Sequence, residues 1–152
     1  MEPMNELTVR PGTERDLPAL LALSAEWAAE NITYGYYANS EKEFTGYRSW
    51  VAERDGVIVG YAAGQMESAQ RDSSIQKKGD CWFELEELYV TFGQRNLGIG
   101  NRLLEQVEED LCREGCRRLM LSGANREQDP LLRFYGKHRY KTYSVRMFKD
   151  IG

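Results

Sequence analysis

Val90-Thr91-Phe92-Gly93-Gln94-Arg95-Asn96-Leu97-Gly98-Ile99-Gly100 runs straight into Asn101-Arg102-Leu103-Leu104-Glu105-Gln106-Val107. An apolar-alternating strand ends here, a glycine-punctuated turn follows, and a helix opens. A helix start leaves four backbone N–H groups without partners and carries about half a positive charge. Glycines at 98 and 100 let an anion come close to those donors. The segment therefore reads as a phosphate cradle between strand and helix, and a phosphorylated cofactor is the first ligand to expect.

Spacing narrows the choice. A dinucleotide fingerprint needs Gly-x-Gly-x-x-Gly, and Leu103 stands where the third glycine would be. A P-loop needs Gly-Lys-Ser/Thr, and Gly100 is followed by Asn101-Arg102. What the chain does carry is Arg95-x-x-Gly98-x-Gly100 after Leu88-Tyr89-Val90.

Working outward, residues 81–91 read as a strand, 100–114 as a helix ended by Gly115, and 118–122 as another strand. This order implies a right-handed crossover and a parallel pair. Upstream, 7–10 is a first strand, and Thr13-x-x-Asp16 opens a helix with Leu17, Leu20, Leu21, Ser24 and Trp27 at helical spacing. Residues 31–39 form an aromatic loop, Ser40 caps a short helix over 41–48, and strands at 50–53 and 57–66 flank Asp55-Gly56, a strong hairpin signal. Residues 67–80 are polar and aperiodic, either a mobile loop or a long hairpin tip. A helix over 129–138 starts at Pro130, and 142–148 reads as the last strand.

A second segment, Leu132-Arg133-Phe134-Tyr135-Gly136-Lys137-His138-Arg139-Tyr140, follows the 118–122 strand. Together with Arg95-x-x-Gly98-x-Gly100 and with Asn125 upstream, it resembles the acyl-CoA-dependent N-acetyltransferases of the GNAT superfamily. There a Phe-Tyr-x-Lys-x-Gly-Phe segment holds this place. The resemblance runs from Val9-Arg10-Pro11 to the 142–148 strand, over nearly all of 1–152, and implies one domain. It implies an α+β fold: a mixed, mostly antiparallel sheet with helices on both faces and a splayed parallel strand pair, into whose gap the cofactor's pantetheine arm enters. The co-substrate is then acetyl-CoA. Its pyrophosphate would lie on Arg95, Asn96, Leu97, Gly98, Ile99, Gly100 and Asn101, and its arm along Leu88, Tyr89 and Val90, with Asn125 and Tyr135 also in contact. One departure stands out: Arg139-Tyr140 replaces the usual Gly-Phe. That Gly ends the helix in a left-handed conformation, so an arginine there must bear about 1–2 kcal/mol of strain or end the helix differently.

Composition fits this reading. The chain has 152 residues, 41% hydrophobic and 29% charged, ordinary for a globular domain. No apolar run approaches the ~18 residues of a membrane span, and the Met-Glu-Pro-Met-Asn-Glu opening is acidic where a signal peptide is basic. The expectation is a cytoplasmic protein without membrane association. Cys81, Cys112 and Cys116 read as reduced, buried or half-buried thiols, with no cluster suggesting a metal. Residues 1–92 carry 8 basic and 16 acidic groups, and residues 93–152 carry 12 and 8. The half with the cradle is basic, as an anionic cofactor wants. The other half is acidic, which draws a cationic amine and disfavours nucleic acid.

Acetyl transfer to an amine requires a proton off the ammonium, support for the developing oxyanion, and a proton for the leaving thiolate. Freeing an amine of pKa near 10.4 at pH 7 costs roughly 4–5 kcal/mol. His138, the one histidine, sits in the late helix away from the central strand. That strand instead reads Glu84-Leu85-Glu86-Glu87-Leu88-Tyr89-Val90. Simple alternation puts Glu84, Glu86, Leu88 and Val90 on one face and Leu85, Glu87 and Tyr89 on the other. A bulge of the kind seen in the resembled family would break that frame. Members acting on polyamines or aminoglycosides often carry a Glu at the position of Glu86, whereas lysine-acetylating members tend to use that of Glu84; Glu87 is the third candidate. By the same resemblance Tyr135 is the general acid, a transfer uphill by about 2 kcal/mol for an ordinary phenol and thiol. The oxyanion should meet a backbone N–H near Leu88–Val90. Tyr34, Tyr36 and Tyr37, with Trp27 and Trp50, form either a cation–π wall for the acceptor or ordinary packing.

The sequence thus points to an N-acetyltransferase for a small cationic amine such as a polyamine, aminoglycoside or amino-sugar, with homodimers common among similar proteins. Acetylation of a protein N-terminus or lysine is the alternative within the enzyme class. A non-catalytic acyl-CoA-binding module is the alternative outside it.

Overall fold

The computed structural model describes residues 6–152; the acidic opening at 1–5 lies outside the described residues. Strand β1 (Leu7–Pro11) is followed by a single 3-10 turn and helix α1 (Leu17–Glu30). The Thr13–Asp16 capping box sets this entry, and Pro18 sits in the first turn, where its missing N–H costs nothing. The Asp16 carboxylate accepts from the Thr13 N–H at 2.8 Å and from two Arg10 nitrogens at 2.8 and 3.0 Å. A Ser40–Glu43 box starts α2 (Glu41–Gly46), shorter than expected because Arg48 already belongs to β2 (Arg48–Arg54). Asp55 (φ 53°) and Gly56 (φ 76°) turn the chain into β3 (Val57–Ser68). The polar 67–80 stretch is a hairpin tip, with the Ala69 N–H donating to the Asp80 carbonyl at 2.9 Å. Then follow β4 (Cys81–Val90), α3 (Ile99–Arg113), β5 (Leu119–Leu121) and α4 (Gln128–Lys137).

The sheet order is β1-β2-β3-β4-β5, antiparallel except for the parallel β4–β5 pair. Apolar residues cover both faces. Trp50, Phe83, Leu103, Leu104 and Val107 form a core under α3, and Leu20, Leu23, Phe44, Val51 and Tyr61 form another under α1 and α2. This is the α+β arrangement expected from the sequence, with helices on both faces.

Two features of β4 make the site. In its ladder with β3, Ala63 faces Glu87 while Gly64 faces Leu85, so Glu86 is the extra residue of a bulge. A Cβ on Gly64 would lie 2.1 Å from the Glu84 carbonyl oxygen, so only glycine admits this approach. The bulge corrects simple alternation. Phe83 and Leu85 face α3 before it and Leu88 and Val90 after it, whereas Glu87 and Tyr89 turn toward α1 and α2. Beyond the bulge the parallel pairing also ends, since β5 bonds β4 only over Phe83–Leu85. The two strands separate from Glu86 onward.

The C-terminus differs from expectation. Residues 142–148 form no strand, and the segment from 141 to 152 is irregular and exposed. Alternation alone does not make a strand: a ladder needs a facing edge, and in the single chain this segment has none. Phe148 instead meets Tyr34 edge-on at 5.5 Å. The cysteines are free, but Cys81 and Cys112 are exposed and only Cys116 is half-buried, because α3 turns Cys112 outward. Among the described residues no helix is long and apolar enough to cross a membrane, and no cluster could hold a metal.

Candidate active site

The strand separation opens a cleft of about 420 Å³. Leu85, Glu86, Glu87 and Leu88 form its floor, and Leu121–Asn125 and Tyr135 one wall. Trp27, Thr33, Tyr34 and Tyr36 form the other. A larger hollow of about 650 Å³ at the start of β4 and the end of α3 shares none of these residues and holds no arrangement suited to acyl transfer. The cleft therefore gathers Glu86, Glu87, Leu88, Asn125, Tyr135, Tyr34 and Tyr36 from the sequence-derived set.

The three carboxylates divide by environment. Glu84 lies outside the cleft and accepts from the Trp82 indole N–H at 3.0 Å. Glu86, at the bulge, is exposed, and partial burial followed by repulsion from Glu84, Glu67 and Glu87 raises its pKa. Glu87 is 7% exposed and bonded on every side. It accepts from the Tyr61 hydroxyl at 2.5 Å, the Tyr36 hydroxyl at 3.2 Å and the Asn39 amide at 2.5 Å. Ser24 extends this network, meeting the Tyr36 hydroxyl at 2.6 Å and accepting from the Asn39 N–H at 2.8 Å. Burial and the Glu87 charge push Tyr61 far up, and burial first pushes Tyr36 up to about 12, so both phenols remain donors. Alternation along β3 from the Asp55-Gly56 turn reaches Tyr61 opposite Val51, but its place opposite Tyr89 belongs to the β3–β4 ladder, whose register no tight turn marks in the sequence. Nothing in the sequence marks Asn39 or Ser24.

The aromatic wall is partly spoken for. Trp27 stacks on Tyr36 at 4.0 Å, and the Arg126 guanidinium lies 4.6 Å over Tyr34. Tyr37 is outside the cleft and exposed. Trp50 is fully buried under α3, where its indole donates to Asp110 at 2.8 Å, so it belongs to the core and not to the wall. The Tyr34 loop is tied to the loop after β5: Tyr34 N–H donates to the Ala124 carbonyl at 2.8 Å, Arg126 N–H to the Ile32 carbonyl at 2.9 Å, and Thr33 bridges to Asn125.

At the other end of β4 lies the α3 start, read from the sequence as an anion cradle. Gly98 is its N-cap with φ 79°, and no side chain caps the first turn, so its N–H groups are free for a ligand. A Cβ on Gly98 would meet nothing within 4 Å, and one on Gly100 would meet only Phe134 at 3.5 Å. The space over both glycines is open, as a pyrophosphate group requires. The Arg95 side chain is turned away from this opening, paired with Glu30 at 2.5 Å and donating to the Val90 carbonyl at 2.9 Å. Tyr89 likewise faces α1, bonded to Glu26 and Glu30. Asn101 is bonded to His138 at 2.8 Å, which fastens α4 to α3. Leu97 is exposed beside the opening and Ile99 is buried in the core.

Tyr135 faces the cleft, and burial raises its phenol. Its helix ends as the sequence warned. Arg139 adopts φ 68°, and the Tyr140 and Arg139 N–H groups bond the Tyr135 and Gly136 carbonyls at 3.1 and 3.0 Å. The arginine takes the left-handed place of glycine and carries the strain.

Solved structures share this architecture. A putative acetyl transferase from Pyrococcus furiosus superposes with a TM-score of 0.71 at 19% identity, covering 96% of this chain and all of that one. An aminoglycoside acetyltransferase from an uncultured soil metagenomic sample, in complex with trehalose, gives 0.67 at 17%, with 96% and 97% covered. The aminoglycoside N-acetyltransferase AAC(6')-Iy, in complex with CoA, gives 0.67 at 16%, with 99% and 98% covered. At such identities the likeness speaks for the fold alone. No curated protein matches the chain in sequence. The model of the acetyltransferase (GNAT) family matches residues 15–140, from the lead-in to α1 through the end of α4. That span takes in both the cradle and the cleft, and by it the chain belongs to the GNAT acetyltransferase family.

Proposed function

We propose that the chain moves an acetyl group from acetyl-CoA to the primary amine of a small cationic acceptor of polyamine, aminoglycoside or amino-sugar type. Acetyl-CoA supplies the activated acetyl thioester. The free N–H groups at the α3 start would hold its pyrophosphate, and β4 beyond the bulge would border its pantetheine arm. Glu86 holds the acceptor's ammonium and passes its proton to water. A raised carboxylate pKa makes it a better relay than free glutamate, yet still far too weak to take the proton alone. A backbone N–H near Leu88 faces the developing oxyanion. Tyr135, kept protonated by burial, gives its proton to sulfur as the C–S bond breaks.

One observation carries the choice of a small acceptor. The bonds from Thr33 and Tyr34 to Ala124 and Asn125 tie one wall of the cleft to the other, an arrangement that favours a compact acceptor over an extended peptide. The 69–80 tip is no lid, since Ile75 and Gln76 border the other hollow. The soil-metagenome protein and AAC(6')-Iy, which share this architecture, are aminoglycoside acetyltransferases, which agrees with the reading.

Thiol release from acetyl-CoA against a panel of polyamines, aminoglycosides, amino-sugars and lysine peptides tests this. Turnover should be highest with a small polycation, and Tyr135→Phe should lower kcat with acetyl-CoA affinity kept. Preference for a peptide would overturn the acceptor assignment, and no thiol release with any amine would overturn catalysis itself.

A further inference from the structure

Arg95 belongs to the turn that leads into the cradle, yet its side chain serves the opposite side of the molecule. Its guanidinium pairs with Glu30, the last residue of α1, at 2.5 Å, and its Nε donates to the Val90 carbonyl at 2.9 Å. The same cation lies 5.3 Å over the Tyr89 ring and 5.5 Å over that of Phe92. Neighbouring residues hold α1 in the same way. The Tyr89 hydroxyl donates to Glu26 at 3.1 Å and to Glu30, the Thr91 hydroxyl donates to Glu26, and the Phe92 N–H reaches Glu26 at 3.4 Å. Burial works against the Glu30 charge, but the bonds from Arg95 and Tyr89 hold its carboxyl below the ordinary glutamate range, so the pair is ionised at neutral pH.

What hangs from this end of α1 is the acceptor side of the cleft. Asn31 ends the helix in a left-handed conformation, and the wall residues Thr33, Tyr34 and Tyr36 follow directly. Trp27, which precedes Glu30 on α1, donates its indole N–H to the Thr33 hydroxyl at 3.0 Å and stacks on Tyr36 at 4.0 Å. It also meets Tyr89 edge-on at 5.3 Å. Contacts therefore run without a break from Arg95 through Glu30 and Tyr89 to Trp27 and Tyr36. We propose that Arg95 is a positioning residue for the amine acceptor, clamping the end of α1 to the end of β4 and so fixing the Trp27–Tyr36 wall. The cofactor's pyrophosphate is left to the backbone N–H groups of the α3 start. A residue of the cofactor turn thereby governs how the acceptor fits. This role rests on the proposed cofactor and cleft, and not on which amine is acetylated.

Two variants open the clamp from its two sides: Arg95→Gln at the turn, and Glu30→Gln on α1, away from the cradle. Amide hydrogen exchange read by mass spectrometry should be roughly threefold to tenfold faster over residues 31–37 in either variant, with β1–β4 and α3 unchanged. Unchanged exchange in that loop overturns the proposal. With spermidine and kanamycin as acceptors, each variant should raise the acceptor's KM severalfold, while the Kd for CoA in calorimetry stays within about threefold. The double variant should be no worse than the worse single one, as for two residues that act as one pair. Effects that add in the double variant overturn the clamp. A weakened Kd for CoA with the acceptor's KM kept makes Arg95 a cofactor contact and also overturns it. If the natural chain acetylates neither amine, the proposed function fails, and the exchange rates still decide the role of Arg95.

Discussion

At the scale of single residues, Glu86 and Glu87 show how one position along a strand changes a carboxylate's work. Glu87 is buried, and its hydroxyl and amide partners hold the Tyr36 loop and the approach to α2. Glu86 keeps its water and faces the cleft. Its pKa is raised by burial and by neighbouring carboxylates, so the fold disfavours its ionised form. The sign follows directly: that unfavourable contribution is present above the folded pKa and vanishes below the ordinary glutamate range. Glu86→Gln should therefore unfold at a higher temperature than the parent at neutral pH, with the difference closing in acid. The same variant should show a higher KM for the amine and a lower kcat, partly restored at high pH where the amine arrives deprotonated. Steady-state kinetics from pH 6 to 10 and thermal melts across the acid range check the two halves. Arg139 makes a separate case. Its left-handed backbone means that Arg139→Gly should stabilise the protein by about 1 kcal/mol, or roughly 2–4 °C in Tm for a chain of this size.

Among the elements, β3 and α3 carry the geometry that the cleft depends on. Gly64 lets β3 approach the bulge, and a Cβ there would meet the Glu84 carbonyl at 2.1 Å. Gly64→Ala should cost at least about 2 kcal/mol in denaturant unfolding, since backbone must move. At the α3 start, Gly100→Val should leave the fold intact, with only Phe134 near the new side chain, and abolish CoA binding in calorimetry. Normal CoA binding by a folded variant would remove the cradle assignment. The sequence already showed α3 and its glycine turn, because capping, periodicity and glycine placement are local properties. It showed the carboxylates of β4 without their directions, because a bulge depends on the strand opposite and Gly64 carries no local mark of it. The 142–148 segment failed for the same reason: its alternation is local, but a strand is a relation between two edges. Trp50 stood open between wall and packing because an aromatic reads alike in both, and its full burial decides for the core.

For the whole molecule, charge is the property that no single element holds. The first ninety-two residues carry twice as many acidic as basic groups, and the cradle lies in the basic remainder. Under the proposed function, part of the pull on a cationic acceptor would be long-range and screened over about 10 Å at 0.1 M salt. The acceptor's KM should rise with ionic strength across 0.02–0.5 M, roughly severalfold for a polyamine and little for a monoamine. A salt-independent KM for the best acceptor would sink this account, as would a neutral or carboxylated best acceptor. The bulge at Glu86 has a last consequence at this scale. It sets the two halves of β4 half a period out of phase, and phase is a property of residue number, not of residue type. Substitution can alter what lines the cleft but cannot bring the halves back into step. Loss of the Glu86 codon would do so, leaving Leu88 and Val90 toward α3 and Glu87 and Tyr89 toward α1 and α2 in an unbroken ladder, but taking away the residue that the bulge carries into the cleft. The chain can thus exchange one acceptor for another by ordinary mutation, while its capacity to have an acceptor at all hangs on the count.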